Sequence, residues 1–353
     1  MGGRRLRIAL GSLAAVLVAA AVAFWLVRPD VAPEGPVAVP TTSASPPSTA
    51  VLAPLTGEPV ADRSRLDHPA VAVKVSNVRS AHPQVGVDRA DIVFCEPIGV
   101  SYTRLAAVFH SDIPNQVGPV RSARPMDAPI LGPLDPVFGH TMAAGWVMSY
   151  LRSVGRTESL GSLQVPRRAG AYAIDRSRPS PDDVMVSPPT LLELSRTATT
   201  PRPYFAFAED ASGASAAGGA RASRVTIPYG PGWAVRWMFD AATGRYLRDE
   251  AWGPHVSADG VQIHATNVLV LDAESVTEKL APGTGSPVPV VQLIDASGPL
   301  LALTAGGAVR GTWSKGAVDE PFVLRTGTGE PLLLAPGNTW VELPAPGAGV
   351  AYS

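Results

Sequence analysis

The sequence predicts an α+β protein in which a mixed α/β domain precedes a mostly β domain, both behind a single amino-terminal transmembrane helix. Three observations lead to this prediction. Residues 8–27 form a run of 20 residues without charge. Residues 55–207 combine alternating, strand-like segments with apolar positions spaced by three and four. Residues 224–346 contain one short apolar segment after another, separated by turn residues.

The amino terminus is predicted to anchor the chain in the cell membrane. Residues 1–7 contain three arginines and form a basic cytoplasmic segment, whereas residues 8–27 would span about 30 Å as a helix. The bulk of this single-pass chain would then be extracytoplasmic. A cleavable signal peptide is the alternative, since Ala21, Val22 and Ala23 form a small-residue cleavage site. The uncleaved signal anchor is favoured because the apolar run continues past that site.

Residues 28–54 are rich in Pro, Ser and Thr and are interpreted as a stalk. This composition buries no core and favours extended polyproline conformations, which gives a reach of up to about 80 Å. An unstructured leader without a mechanical role is the alternative interpretation. No cysteine lies near the segment, which excludes attachment through a lipid-modified cysteine.

Residues 55–207 are predicted to form the mixed α/β domain. Residues 208–223 follow it and are dominated by Ala, Gly and Ser, which predicts a linker or long loop between two domains. Within the first domain, apolar alternation predicts strands and apolar spacing of three and four predicts helices. The predicted strands are 71–75, 91–95 and 103–110, and the predicted helices are 126–134, 142–154 and 189–195.

Residues 224–346 are predicted to be mostly β. The side chains of Trp233, Val235, Trp237 and Phe239 share one face of a strand, which is typical of a core face. Further strands are predicted at 267–271, 288–294 and 331–334, with a loop at 281–289.

Three other tryptophans, Trp252, Trp313 and Trp340, follow no such alternation. For each of them, packing in the core is favoured over stacking on a sugar ring.

Composition and motifs exclude several classes of function. A net charge of −1, with 26 Arg and 3 Lys, gives no basic field for nucleic acid. The single Cys95 excludes an internal disulfide and a zinc site of several thiolates, and its apolar neighbours predict a buried, inert thiol. The six histidines show no zinc-binding spacing, and no phosphate-binding glycine loop or nucleophile elbow occurs. We therefore expect neither a metal nor a cofactor, and no nucleic-acid partner.

Eight segments carry a resemblance to a known family. The most specific is Gly118-Pro119-Val120-Arg121-Ser122-Ala123-Arg124. In this order the segments resemble the DUF3048 family, typified by YerB-like envelope lipoproteins, over most of residues 54–345. The segments are 54–57, 69–77, 90–93, 103–111, 117–124, 267–271, 311–315 and 336–340.

The resemblance implies a two-domain, extracytoplasmic, membrane-attached protein of the cell envelope or cell wall, and it implies no settled reaction. The chain departs from the family pattern in two places. A transmembrane-type anchor stands where many relatives carry a lipid-modified cysteine. Residues 178–184 stand where the family usually has a Pro-His-Asn-Leu-Tyr segment.

The densest group of candidate functional residues surrounds the loop 112–125. Two arginines three residues apart, between prolines that stiffen the backbone, suit a carboxylate or phosphate, which guanidinium groups hold through paired hydrogen bonds. The alternative is that these arginines pair with Glu96, Asp127 or Asp91 and only fix the loop. The candidate ligand-binding residues are Glu96, Arg104, Arg121, Ser122, Arg124 and Asp127.

These observations favour a membrane-anchored binding or scaffold protein without enzymatic activity. Its expected partners are peptidoglycan or another wall polymer, or an envelope protein. The alternative is a hydrolase that modifies the cell wall and uses Glu96 and Asp127 as general acid and base, but no motif surrounds that pair.

Overall fold

The computed structural model describes residues 51–99 and 102–353. The predicted basic segment and membrane span, and most of the predicted stalk, lie outside the described residues. Within the described part of the chain, no helix is long and apolar enough to cross a membrane.

The described residues are mostly β, with few helices. The strands are, in chain order, β1 (Val51–Leu52), β2 (Pro59–Val60), β3 (Val71–Ser76), β4 (Ile92–Gly99), β5 (Tyr102–Phe109), β6 (Val137–Gly139), β7 (Glu158–Ser159), β8 (Tyr172–Ile174), β9 (Val184–Val186), β10 (Ala220–Arg221), β11 (Arg224–Gly230), β12 (Trp233–Asp240), β13 (Arg245–Glu250), β14 (Gly253–Pro254), β15 (His264–Ala265), β16 (Asn267–Leu271), β17 (Ser275–Glu278), β18 (Val288–Val291), β19 (Ala296–Thr304), β20 (Gly307–Lys315), β21 (Val323–Thr326), β22 (Thr339–Glu342) and β23 (Ala351–Tyr352).

Three α-helices lie near the helical segments expected from the sequence: α1 (Asp127–Leu131), α2 (Gly145–Val154) and α3 (Pro188–Leu194). Helix α2 ends at Gly155, whose φ of 55° is the left-handed conformation that glycine adopts readily after a helix. Helix α3 begins after Ser187, whose hydroxyl accepts a hydrogen bond from Thr190 N. Short 3-10 turns occur at Arg63–Leu66, Arg79–Ala81, Val87–Arg89, Gly132–Leu134, Arg167–Ala169 and Ala211–Gly213.

A large mixed sheet forms the centre of the described structure. Its strands lie in the order β10, β20, β19, β16, β22, β4, β5, β3, β6 and β7, with β21 paired to β20. Strand β22 lies between β16 and β4 and runs parallel to both. The sheet therefore combines strands from both of the regions that the sequence assigned to separate domains.

A second sheet of six strands packs against the central one. Strands β14, β13, β12, β11 and β23 follow one another in it, and β15 pairs with β13. Strand β12 confirms the predicted alternation: Val235 and Trp237 are fully buried, and Trp233 and Phe239 pack beside them against the same core. Two-stranded sheets are formed by β1 with β2, β8 with β9, and β17 with β18.

Both faces of the central sheet are covered. On β4, the side chains of Ile92 and Phe94 enter one core, whereas those of Val93 and Cys95 enter the other. This two-sided burial explains why the strands predicted at 91–95 and 103–110 read as continuous apolar runs instead of clean alternations.

The structure corrects three expectations. Residues 331–334 lie outside the strands and make only isolated bridges, at Pro331 and Leu334. The strand expected at 288–294 ends at Val291 and belongs to a two-stranded hairpin. Residues 208–223 are not wholly irregular, because they contain a 3-10 turn and strand β10, which extends the central sheet.

Candidate functional site

The candidate residues meet on one face of the central sheet. Lys74 on β3, Glu96 on β4 and Arg104 on β5 occupy adjacent strands, and Glu96 lies directly opposite Arg104 in the antiparallel register. Asp127 begins α1, which packs on the same face. Alternation along each strand directs these side chains to one side, so three strands and one helix end converge.

Lys74 lies between the two carboxyl groups. Its Nζ is 2.6 Å from Asp127 Oδ1 and also contacts Glu96 Oε2, and all three side chains are at most 1% exposed. The other oxygen of Asp127, Oδ2, accepts a hydrogen bond of 2.6 Å from Arg124 N. Asp127 therefore fixes both the buried ammonium group and the start of the helix. Neither carboxyl group reaches solvent.

Glu96 is the unusual member of this triad. Burial, and next the nearby Asp127 carboxylate, raise the pKa of Glu96 to about 8, against the opposing effect of Lys74. Its Oε1 is buried and has no hydrogen-bond partner. At neutral pH Glu96 is therefore mostly protonated, and the triad then carries one ammonium group and one carboxylate.

Three guanidinium groups adjoin the triad. Arg104 Nη1 donates to Ser122 O at 2.8 Å, and Arg124 Nη1 donates to Ala123 O at 2.9 Å. Burial, and then the charges of Arg124 and Arg121, lower the pKa of Arg104 to about 9. Burial also lowers the pKa of Arg124, whose buried Nε has no hydrogen-bond partner. Backbone carbonyls thus satisfy only part of this concentrated positive charge.

Arg121 is held at the edge of the same group. Its Nε lies 3.0 Å from Asp182 Oδ1, and its side chain is 22% exposed. Asp182 also accepts hydrogen bonds of 2.8 Å from Ser76 Oγ and 2.7 Å from Ser80 Oγ. The Arg121 backbone is fixed as well, because its N donates to Lys74 O at 2.7 Å. The loop that carries the arginines is therefore pinned to the sheet.

The structure brings all six sequence-predicted residues, Glu96, Arg104, Arg121, Ser122, Arg124 and Asp127, into one cluster. The arginines do not form the expected alternative ion pairs with Glu96, Asp127 or Asp91. Instead, Glu96 and Asp127 pair with Lys74, and Arg121 pairs with Asp182. Asp91 lies apart and accepts hydrogen bonds from His110 N and from Ser111. Among the described residues, no group of His, Cys, Asp and Glu side chains could hold a metal ion.

Sequence reasoning missed Lys74 and Asp182. A lysine within the apolar segment 71–75 was a usable signal, since an unpaired ammonium group is rarely buried. Asp182 lies in the segment 178–184, far from the arginines in the sequence. Its contact with Arg121 spans 61 positions and leaves no local trace in the sequence.

A second buried network joins the two large sheets. The fully buried Arg248 of β13 donates from Nε to Glu342 Oε1 on β22 at 3.2 Å, and its Nη1 contacts Glu250 Oε1. Its guanidinium carbon lies 4.9 Å from the ring centroid of Trp340 and 5.8 Å from that of Trp237. A cation enclosed by two carboxylates and two indoles is satisfied internally, so we interpret this network as structural.

Cys95 is fully buried beside this second network. Burial raises the pKa of its thiol well above the ordinary value, and Arg248 Nη2 lies 3.7 Å from Sγ. The structure thus confirms the buried thiol expected from the sequence.

These features define a mostly β protein whose central sheet carries a buried ammonium–carboxyl triad beside a cluster of arginines. Two family models described as the N-terminal and C-terminal domains of a protein of unknown function, DUF3048, match residues 55–201 and 225–341. The chain therefore belongs to the DUF3048 family.

Two comparisons concern the same relative. The chain is 40% identical over 94 residues to a putative lipoprotein, YerB, of Bacillus subtilis, a match that covers 27% of each chain. The chain thus matches about a quarter of the length of this curated relative. The crystal structure of Bacillus subtilis YerB is similar in fold, with a TM-score of 0.73 and 22% identity, over 86% of this chain and 99% of that one.

Proposed function

We propose that this protein is an envelope-associated binding protein whose arginine cluster, defined as Arg104, Arg121 and Arg124, holds an oxyanion of a cell-wall component. The oxyanion is a carboxylate or a phosphate, both of which guanidinium groups bind through paired hydrogen bonds. Envelope association is supported by the name of the relative, a putative lipoprotein, and by the predicted single-pass anchor at 8–27. The protein would face the extracytoplasmic side.

The proposal rests on the positive charge of Lys74 and the arginine cluster, which the neighbouring carboxyl groups neutralise only in part. Four cationic groups, those of Lys74 and the arginine cluster, adjoin three carboxyl groups, and one of these, Glu96, is mostly protonated at neutral pH. The buried Arg124 Nε has no acceptor. A bound oxyanion would offset the excess positive charge of the cluster and reduce the repulsion from Arg124 and Arg121 that, after burial, lowers the pKa of Arg104.

We favour binding over hydrolysis by Glu96 and Asp127. Both carboxyl groups contact Lys74, and both are shielded from solvent. Asp127 uses its second oxygen on the Arg124 backbone. A general acid and base must instead reach the substrate and an attacking water.

Co-sedimentation of the full-length chain, purified in detergent, with isolated cell-wall sacculi tests the proposal. We expect Arg121→Ala/Arg124→Ala to lower the bound fraction at least fivefold. The matched control is Arg89→Ala/Arg156→Ala, which removes the same charge from arginines that are 39% and 55% exposed, and it should bind like the wild type. Circular dichroism must show that all variants fold.

The outcomes separate the two sources of the oxyanion. Sacculi stripped of phosphate-bearing polymers with acid retain peptidoglycan carboxylates, so retained binding to them indicates a carboxylate and lost binding indicates a phosphate. If neither preparation sediments the wild type, or if both double variants bind equally, the proposed wall contact through the arginine cluster is wrong.

A further inference from the structure

Four aromatic rings form a continuous row at the surface near the arginine cluster. The ring centroids of Tyr102 and Trp233 are 6.5 Å apart, those of Trp233 and Trp252 are 5.0 Å apart, and those of Trp252 and His82 are 5.0 Å apart. We call these four residues the aromatic row. They come from the start of β5, the start of β12, the turn between β13 and β14, and the segment after β3, so the fold assembles the row from four separate places.

The two tryptophans of the aromatic row are more accessible than the other tryptophans that the structure describes. Tyr102 is 54% exposed, and Trp233, Trp252 and His82 are half-buried. By contrast, Trp313 and Trp340 are each 1% exposed, which confirms core packing for those two. Neither Tyr102 nor Trp252 belongs to either of the two described cores.

The rings of the row are uncharged but carry polar groups at their edges. Burial lowers the pKa of His82 to about 4, so its imidazole is neutral at pH 7. Its Nε2 lies 3.2 Å from Asn77 Oδ1, which fixes the ring. The indole Nε1 of Trp233 is buried and has no acceptor. Because this N–H is buried, a ligand cannot reach it, and the edge-to-face contacts of Trp252 with Trp233 and His82 cover part of the ring faces. The row therefore offers the remaining apolar ring surface together with the phenol of the exposed Tyr102.

We propose that the aromatic row binds neutral pyranose rings of a glycan. A pyranose presents an apolar face of C–H groups with hydroxyl groups around its rim, which matches apolar ring surface beside the Tyr102 hydroxyl group. A charged ligand would find no charged side chain within the row. An aliphatic ligand that covers Tyr102 would displace water from its hydroxyl group without replacing the lost hydrogen bonds, which is costly.

This inference deepens the proposed function, because it assigns the sugar part of the same wall component to a second subsite. Thr103 joins Tyr102 of the row to Arg104 of the arginine cluster along β5, and Asn77, which contacts His82, also donates to Thr103 Oγ1 at 2.8 Å. A glycan with an acidic substituent would place sugar rings on the row and its anion at the arginines.

Isothermal titration calorimetry with a neutral probe, the hexasaccharide of N-acetylglucosamine, tests the row separately from the arginines. We expect the full-length chain in detergent to bind the hexasaccharide, and Trp252→Ala to bind at least tenfold more weakly. Trp252→Phe retains a ring face and should stay within about threefold of the wild type. Tyr102→Ala, at an exposed position with little risk to folding, should also weaken binding by at least threefold.

The results decide between the two proposals independently. Arg121→Ala/Arg124→Ala should retain hexasaccharide affinity, even where it loses sacculus binding. Absence of hexasaccharide binding by the wild type, equal affinity in Trp252→Ala, or loss of affinity in the arginine double variant would each overturn the assignment of the row.

Discussion

Replacing Lys74 with methionine should strongly destabilise the protein. The substitution preserves length and removes the cation shared by Glu96 and Asp127, all at most 1% exposed. Glu96 takes up a proton readily because its pKa is already raised to about 8, so one uncompensated charge is left, that of Asp127. Breaking a buried ion pair in this way costs about 3–5 kcal/mol of unfolding free energy.

Urea-induced unfolding of the full-length chain in detergent, followed by tryptophan fluorescence, measures this cost. The double variant Lys74→Met/Asp127→Asn removes the remaining charge and should recover about 1–2 kcal/mol. Arg89→Met is the control, because it breaks an ion pair with Asp112 whose members are 39% and 48% exposed, and it should cost less than about 1 kcal/mol. A loss below about 1 kcal/mol in Lys74→Met would refute the role assigned to the triad.

The folded-state pKa of Glu96, about 8, lies above its unfolded value of roughly 4.3. The contribution of Glu96 to the unfolding free energy is therefore complete below about pH 4.3 and is lost as the pH rises towards 8. Glu96→Gln should flatten this part of the curve of unfolding free energy against pH. Arg248→Met should cost about 3–5 kcal/mol in urea unfolding, because two buried carboxylates lose their cation. Gly57→Ala should lower the unfolding free energy by about 1–2 kcal/mol, since Gly57 has a φ of 67° and a Cβ there would lie 2.5 Å from the Phe207 ring. Cys95 should resist alkylation in the native protein and react once urea unfolds it, as mass spectrometry would show; rapid native labelling would contradict the buried thiol.

The sequence predicted elements best where local signals agreed. The strands at 71–75, 91–95 and 103–110 correspond to β3, β4 and β5, because apolar side chains there serve cores on both faces. The helices near 142–154 and 189–195 carried a terminal glycine or a proline start, and both are present. The segment 331–334 is equally apolar, but its backbone pairs only through isolated bridges, so apolarity alone was misleading there.

The residues that form the candidate site were easier to predict from the sequence than the ion pairs between them. The motif around Arg121 and Arg124 pointed to the loop in which the arginines cluster, since clustered arginines are visible locally. Which carboxyl group meets which cation depends on strand register and on contacts across many residues. Lys74 meets Asp127 across 53 positions, and no periodicity in the sequence encodes that distance.

Strand β22 is synthesised long after β4, one of the two strands with which it pairs. It completes the central sheet between β16 and β4, although its partner residues on β4 lie roughly 250 positions earlier in the chain. Strands β4 and β5 leave the ribosome long before residues 339–342 are synthesised. During this interval one edge of β4 has unpaired backbone groups, which favour aggregation. Pairing of this edge of β4 therefore waits for residues 339–342, and a premature stop before residue 339 would remove the strand that joins β16 to β4.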